Sequence, residues 1–272
     1  MRSQWLALTF LAATPVAGQV PPDVAAERLA LTDWFATGHA TPATILALSP
    51  LGNGQTLVIG PASSDLPIPG FDSTRVRFAD GVVSLEVEGG KQTVPRGRQV
   101  AYGRFLVGQD GPANRRMVSV YGPDKRSIKP EWFPYNPAMI FTVALQKAAN
   151  GESRNRLDFD GVETAAALAG SVSFTMAGVA TALTVYRFGG PDDEEAGLEI
   201  YFQDGTNDAG TYPAGRFVGL RPLPDGRYQL DFNRARNPFC AYRTVYPCPI
   251  PWSGNLIKTS VMAGERYVHP AP

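Results

Sequence analysis

Alternation is the feature that most limits what this chain can fold into. Val83, Leu85 and Val87 are separated by Ser84, Glu86 and Glu88. A period of two sorts side chains onto the two faces of a strand, whereas an amphipathic helix repeats its apolar positions every three or four residues. Upstream, Val76-Arg77-Phe78 runs into Asp80-Gly81, a dipeptide suited to a two-residue hairpin turn. The period returns at Val172, Phe174 and Met176, before a Gly178 turn and a further strand over 181–188. It returns again at Leu198, Ile200 and Phe202, and in the pair 215–220 and 227–232, split by Pro224-Asp225-Gly226. Residues 99–107, 116–121 and 138–145 read as further strands, and 255–261 as the strand that closes the sheet. With 28 Gly and 24 Pro to supply turns and only 18% charged residues, the chain is mainly β. An antiparallel β-sandwich or a partly open barrel is expected.

The N-terminal residues follow another rule. Arg2 precedes a short apolar run over 5–13, and Val16-Ala17-Gly18 places small residues where a signal peptidase reads. Residues 1–18 are therefore expected to be a secretory signal peptide, and the protein periplasmic or secreted. Pro21-Pro22-Asp23 opens a predicted helix through Phe35, with Asp23 as N-cap, Leu31, Trp34 and Phe35 on the docking face, and Gly38 as the stop. Helix and linker occupy 19–44, and 45–272 is expected to form a single β-rich domain. Lys+Arg 25 balances Asp+Glu 25, so charge gives no reason to expect nucleic acid as a partner. No later stretch is long and apolar enough to predict a membrane span.

Chemistry is sparse by motif. G-x-S-x-G and H-E-x-x-H are absent, and Gly52-Asn53-Gly54 is no dinucleotide loop. His39 and His269 are the two histidines, both expected in solvated loops. No metal or cofactor is predicted. The acidic run Asp192-Asp193-Glu194-Glu195 reads as a solvated hairpin tip. The segment 204–210, Asp-Gly-Thr-Asn-Asp-Ala-Gly, suits turn chemistry, with ligand contact as the alternative. Trp132 and Tyr135 read as a hydrophobic plug or as the wall of a pocket for a planar ligand.

Residues 231–255 are the densest stretch. Asp231, Asn233, Arg234, Arg236, Asn237 and Arg243 surround the two cysteines, Cys240 and Cys248. In an exported chain those cysteines are expected to pair, and closing so short a loop contributes roughly 2–3 kcal/mol. Guanidinium groups hold carboxylates and phosphates through two parallel hydrogen bonds. An inward-facing Asp231 would need an arginine partner. The cluster is thus either a buried polar network or the lining of a pocket.

The residues Phe202-x-Asp204-x-Thr206, Thr211-Tyr212-x-x-Gly215-Arg216, Asp231-Phe232-Asn233-Arg234-Ala235-x-Asn237-Pro238-x-Cys240-Ala241-Tyr242, Cys248-Pro249-x-Pro251, Asn255 and Ala263-Gly264-Glu265 resemble the DUF1684 family, bacterial and archaeal proteins of unknown function. The resemblance departs at Arg236, where the family carries an aromatic, and at Ser253-Gly254, where it carries Pro-Glu. It brings no activity with it. The expected role is binding of a small polar or anionic ligand by Arg216, Asp231, Asn233, Arg234, Asn237, Tyr242, Asn255 and Tyr212. Two alternatives stay open: a hydrolase with Asp231 or Glu265 as general base, and a structural envelope protein without ligand.

Overall fold

The computed structural model describes residues 19–149, 152–189, 197–249, 252 and 254–267. The proposed signal segment, the acidic run 192–195, Pro251, Ser253 and His269 lie outside the described residues.

Helix α1 spans Pro22–Thr37. Val24, Arg28, Leu31 and Phe35 fall on one stripe, and Val24 and Phe35 are buried. Asp23 is not the N-cap: Pro21 takes that place without a side-chain bond, and the Asp23 carboxylate pairs with Arg234 instead. Gly38 does end the helix, in an extended conformation. A Cβ there would lie 2.4 Å from the Thr41 methyl and 2.7 Å from Trp34 O, so close approach is what requires glycine.

Nine strands follow: β1 Ile45–Gly52, β2 Thr56–Gly60, β3 Leu66–Pro67, β4 Thr74–Ala79, β5 Val82–Val87, β6 Gly90–Thr93, β7 Gln99–Tyr102, β8 Phe105–Asp110 and β9 Arg115–Tyr121. They form a four-stranded sheet in the order β1-β9-β8-β7 and a five-stranded sheet in the order β3-β2-β4-β5-β6. One apolar core joins the two, with Leu51, Val107, Val118 and Val120 from the first and Ile59, Val76, Phe78 and Leu85 from the second. This is a β-sandwich. The predicted hairpin is present: Ala79 pairs with Val82, and Asp80 and Gly81 sit at φ 53° and 78°, as a twist-matched two-residue turn requires.

The second group comprises β10 Glu131–Trp132, β11 Ile140–Val143, β12 Gln146–Lys147, β13 Ser153–Leu157, β14 Glu163–Met176, β15 Val179–Phe188, β16 Gly197–Phe202, β17 Arg216–Pro222, β18 Tyr228–Asp231 and β19 Glu265–Arg266. Eight of them form one sheet in the order β11-β18-β17-β16-β15-β14-β12, with β13 also on β14, curled into a half-barrel. Among the described strand pairs only β2–β3 is parallel. Ile200, Phe202, Val218 and Leu230 face one core; Tyr201 and Phe217 face another with Phe188 and Trp252. Both faces of β16 and β17 are therefore buried, which is why apolar residues are adjacent at Ile200-Tyr201-Phe202 and Phe217-Val218 where a half-exposed strand would alternate.

Three predicted strands are corrected. Residues 99–107 are not one strand but a hairpin, β7 and the start of β8, that turns at Gly103-Arg104. Residues 138 and 139 of the 138–145 run belong to the 3-10 turn Pro137–Met139 capped by Asn136, and only Ile140–Val143 is extended. Residues 255–261 make a single bridge, Leu256 to Gln203, and are otherwise irregular. Ile257 and Val261 still enter the core, so their apolar spacing reflects burial without a ladder.

Candidate functional site

The family-like residues assemble into two buried networks and border two clefts: Asn237, Tyr242 and Glu265 one of about 380 Å³, and Asn233 and Arg234, beside α1, one of about 330 Å³. In the first network Arg216, on β17, is 0% exposed. Its Nη2 donates to Asp204 Oδ2 at 2.9 Å and to Val261 O at 2.9 Å; its Nη1 donates to Ala263 O at 2.5 Å and Glu265 O at 3.2 Å. Asp204 Oδ1 accepts from Thr206 N, Thr206 Oγ1 and Val261 N. The 204–210 segment is thus a turn whose carboxylate folds back on its own backbone. Burial lowers the pKa of Arg216, and Asp204 counters it. The arginine staples the irregular segment 261–264 and the start of β19 to the sheet, supplying donors that a missing strand would have supplied.

The second network starts at Asp231, at the end of β18. Its Oδ1 accepts from Asn233 N and Asn233 Nδ2, both at 2.9 Å, and its Oδ2 from Arg234 Nε at 3.2 Å. Asn233, 0% exposed, exchanges two bonds with the backbone of Asn136. Arg234 also pairs with Asp23 and Glu27 on α1. Arg28 Nη2 donates to Asn233 O while its guanidinium lies over the Trp132 ring at 4.6 Å. Trp132 is therefore a packing partner of the helix, and Tyr135 is buried.

Asn255 is separate from both. Its Oδ1 accepts from Thr184 N, and its Nδ2 donates to Thr184 O and Tyr201 O. The β15–β16 ladder runs only from Tyr186–Glu199 to Phe188–Gly197. The carboxamide continues the strand pairing where the two backbones diverge. Tyr212 lies elsewhere, with its hydroxyl 3.3 Å from Cys248 Sγ. Cys240 and Cys248 form a disulfide with a Cα–Cα distance of 5.5 Å.

Of the predicted residues, Asn237, Tyr242 and Glu265 border a cleft of about 380 Å³. Glu265 is 0% exposed: its Oε2 accepts from Asn237 N at 2.9 Å, and its Oε1 accepts from the Tyr242 hydroxyl. Burial pushes its pKa up to about 7, against the pull of those hydrogen bonds, and burial beside Glu265 raises Tyr242 as well. Gly264 makes this placement possible, with φ 78° and Phe232 O and Ala235 O at 2.6 and 2.7 Å from where a Cβ would stand. Phe35 of α1 packs edge-on against Tyr242, ring centroids 4.9 Å apart.

The rim is basic. Arg126, Lys129, Arg243 and Arg266 line it beside Ile128, Pro130 and Ala241. Glu131 reaches Arg266 at 3.7 Å. Arg126, Lys129 and Arg243 form no ion pair with any described residue. Burial lowers the pKa of Arg243, and the nearby positive charge of Arg126 lowers it further. Sequence reasoning noted Arg243 and missed Arg126, Lys129 and Arg266. The isolated cations of 125–129 were the available signal, but nothing in their spacing shows which loop they face.

A search of curated proteins finds no match. The solution NMR structure of an uncharacterized protein from Haloarcula marismortui is 31% identical, over 51% of this chain and 76% of that one, with a TM-score of 0.44. The family described as protein of unknown function DUF1684 matches residues 129–266, which hold the first buried network, the Asp231 side of the second and most of the cleft lining; the α1 partners Asp23, Glu27 and Arg28 and the rim's Arg126 lie outside the match. The chain belongs to the DUF1684 family.

Proposed function

We propose that this protein binds a small anion in the cleft rimmed by Arg126, Lys129 and Arg243. The observation that carries the reading is that three cations line one concavity of about 380 Å³ with no acid partner among the described residues. A guanidinium facing solvent in a concave site retains its full capacity for bidentate recognition. The arginines first expected to bind differ on this point. Arg216 is spent on Asp204 and three carbonyls, and Arg234 on Asp23, Glu27 and Asp231. The hydrolytic alternative finds no accessible base, since Asp231 is 3% exposed and Glu265 0%.

Titration calorimetry with acetate, sulfate, phosphate and succinate, each at matched ionic strength, tests the reading. At least one should bind more tightly than chloride and lose most of that affinity in Arg126→Ala/Arg243→Ala. Equal, weak response to every anion would sink it.

We further place the protein outside the cytoplasm. The N-terminal run 1–18 and the Cys240–Cys248 disulfide both support this. Expressed in a Gram-negative host, the chain should be recovered outside the cytoplasm with Gln19 as its first residue. A cytoplasmic chain retaining Met1 would count against it.

A further inference from the structure

The cleft's cations come from two separate parts of the chain. Arg126 and Lys129 lie on the segment between the sandwich and β10, tied down where Arg126 N donates to Ala43 O. Arg243 lies on the span closed by Cys240–Cys248, eight residues apart in sequence, whose turn is held by Arg243 N to Phe239 O and Tyr246 N to Arg243 O. Two guanidiniums thus converge on one space from independently anchored supports.

A single carboxylate occupies one guanidinium fork and leaves the second charge unmet. A phosphoryl group offers oxygens in several directions and about two negative charges near neutral pH. The cleft is also larger than inorganic phosphate needs, and Ile128, Pro130 and Ala241 give it an apolar side. Building on the anion-binding reading above, we infer that the ligand is a phosphate monoester, its phosphoryl dianion held between Arg126 and Arg243 and its organic group against Ile128, Pro130 and Ala241. The positive charge of Arg126 disfavours that of Arg243, so a dianion compensates the pair more fully than a monoanion.

The test is calorimetry on the folded full-length protein with phenyl phosphate, inorganic phosphate and benzoate at matched ionic strength. Phenyl phosphate should bind at least about tenfold more tightly than benzoate and more tightly than inorganic phosphate. Its affinity should fall as pH drops through about 6, where the ester loses its second charge. Arg126→Ala and Arg243→Ala should each weaken phenyl phosphate by roughly tenfold, with benzoate far less affected. Both residues are free of the buried networks, and an unchanged melting temperature verifies the fold of each variant. Co-sedimentation with phosphatidic acid vesicles separates a lipid headgroup from a soluble ester; binding in either arm supports the phosphoryl class. Benzoate binding as tightly as phenyl phosphate would overturn the dianion while leaving anion binding intact. Absence of binding by every probe, soluble or vesicular, would overturn both.

Discussion

The sandwich formed by β1–β9 and the curled sheet formed by β11–β18 are both antiparallel β units, and they are held together differently. The sandwich core is mostly apolar, from Leu51 to Val120; its buried polar side chains are Thr74, Gln109, Arg116 and Ser119, of which Gln109 and Arg116 donate to Val94 O and Gly111 O, and among the described residues no Asp or Glu is buried before Asp204. The curled sheet buries Asp204, Arg216, Asp231, Asn233, Asn237, Asn255 and Glu265. The difference follows from connectivity. In the sandwich most backbone polar groups are met by neighbouring strands joined through tight turns. Around the curled sheet, irregular segments at 203–215, 232–246 and 254–264 pass through the interior, and their carbonyls and amides need partners that no strand provides. Buried side chains take over that role. A polar cluster that looks like an active site can therefore be scaffolding for buried irregular backbone.

The largest predicted effect breaks this scaffold. Arg216→Met leaves Asp204 charged and enclosed, and should destabilise by about 3–5 kcal/mol. Arg216→Lys should recover only part, because one ammonium cannot reach four acceptors. Urea unfolding measures both; if Arg216→Met unfolds like the parent, the network is dispensable. In the sandwich, Leu85→Ala should cost about 2–5 kcal/mol by leaving a cavity, but Leu85→Met should cost less than about 1.5 kcal/mol. A conservative swap is thus tolerated by the apolar core and not by the polar one, and equal losses for Leu85→Met and Arg216→Lys would erase the contrast. Asn255→Ala should cost about 1–3 kcal/mol and raise hydrogen exchange locally at Thr184, which loses its acceptor.

The pH dependence gives a subtler separation. The folded-state pKa of Glu265, about 7, lies above its ordinary 4.5. Between those values the folded protein binds more protons than the unfolded chain, so this residue lowers stability as pH rises from about 4.5 to 7. Glu265→Gln should flatten part of that decline in melting temperature; an identical slope would show that the carboxyl does not titrate there. The smallest effect is expected at Arg75, whose 3.8 Å pair with Glu86 is exposed on both sides. Arg75→Ala should change stability by no more than about 1 kcal/mol.

Alternation and turn dipeptides made much of the strand pattern readable, including the 80–81 hairpin and the β17–β18 pair. Helix α1 was readable from its Pro21-Pro22 start and Gly38 stop, while of the predicted docking face Leu31, Trp34 and Phe35 only Phe35 is buried and Trp34 is exposed. The sequence also singled out Arg216, Asp231, Asn233, Asn237, Asn255 and Glu265 as special. What it could not convey was direction. An arginine near a strand end has the same identity whether it faces solvent or, like Arg216, four internal acceptors. Nor does spacing reveal that Asn255 completes a ladder 71 residues away. The basic rim was illegible for a related reason: Arg126 and Arg243 lie far apart in the chain, and only folding brings their charges to one cleft.

The disulfide gains a further meaning from where it sits. Cys240 is 5% exposed, whereas Cys248 is exposed. A thiol reductant therefore meets the bond at its Cys248 end, away from the buried networks. Opening it would spare the Arg216–Asp204 pair, which lies outside the 240–248 span, and slacken the span that carries Tyr242 and Arg243. Reduction of this one bond would thus act on one of the rim's four cations, Arg243, while the other three stand on segments outside the span.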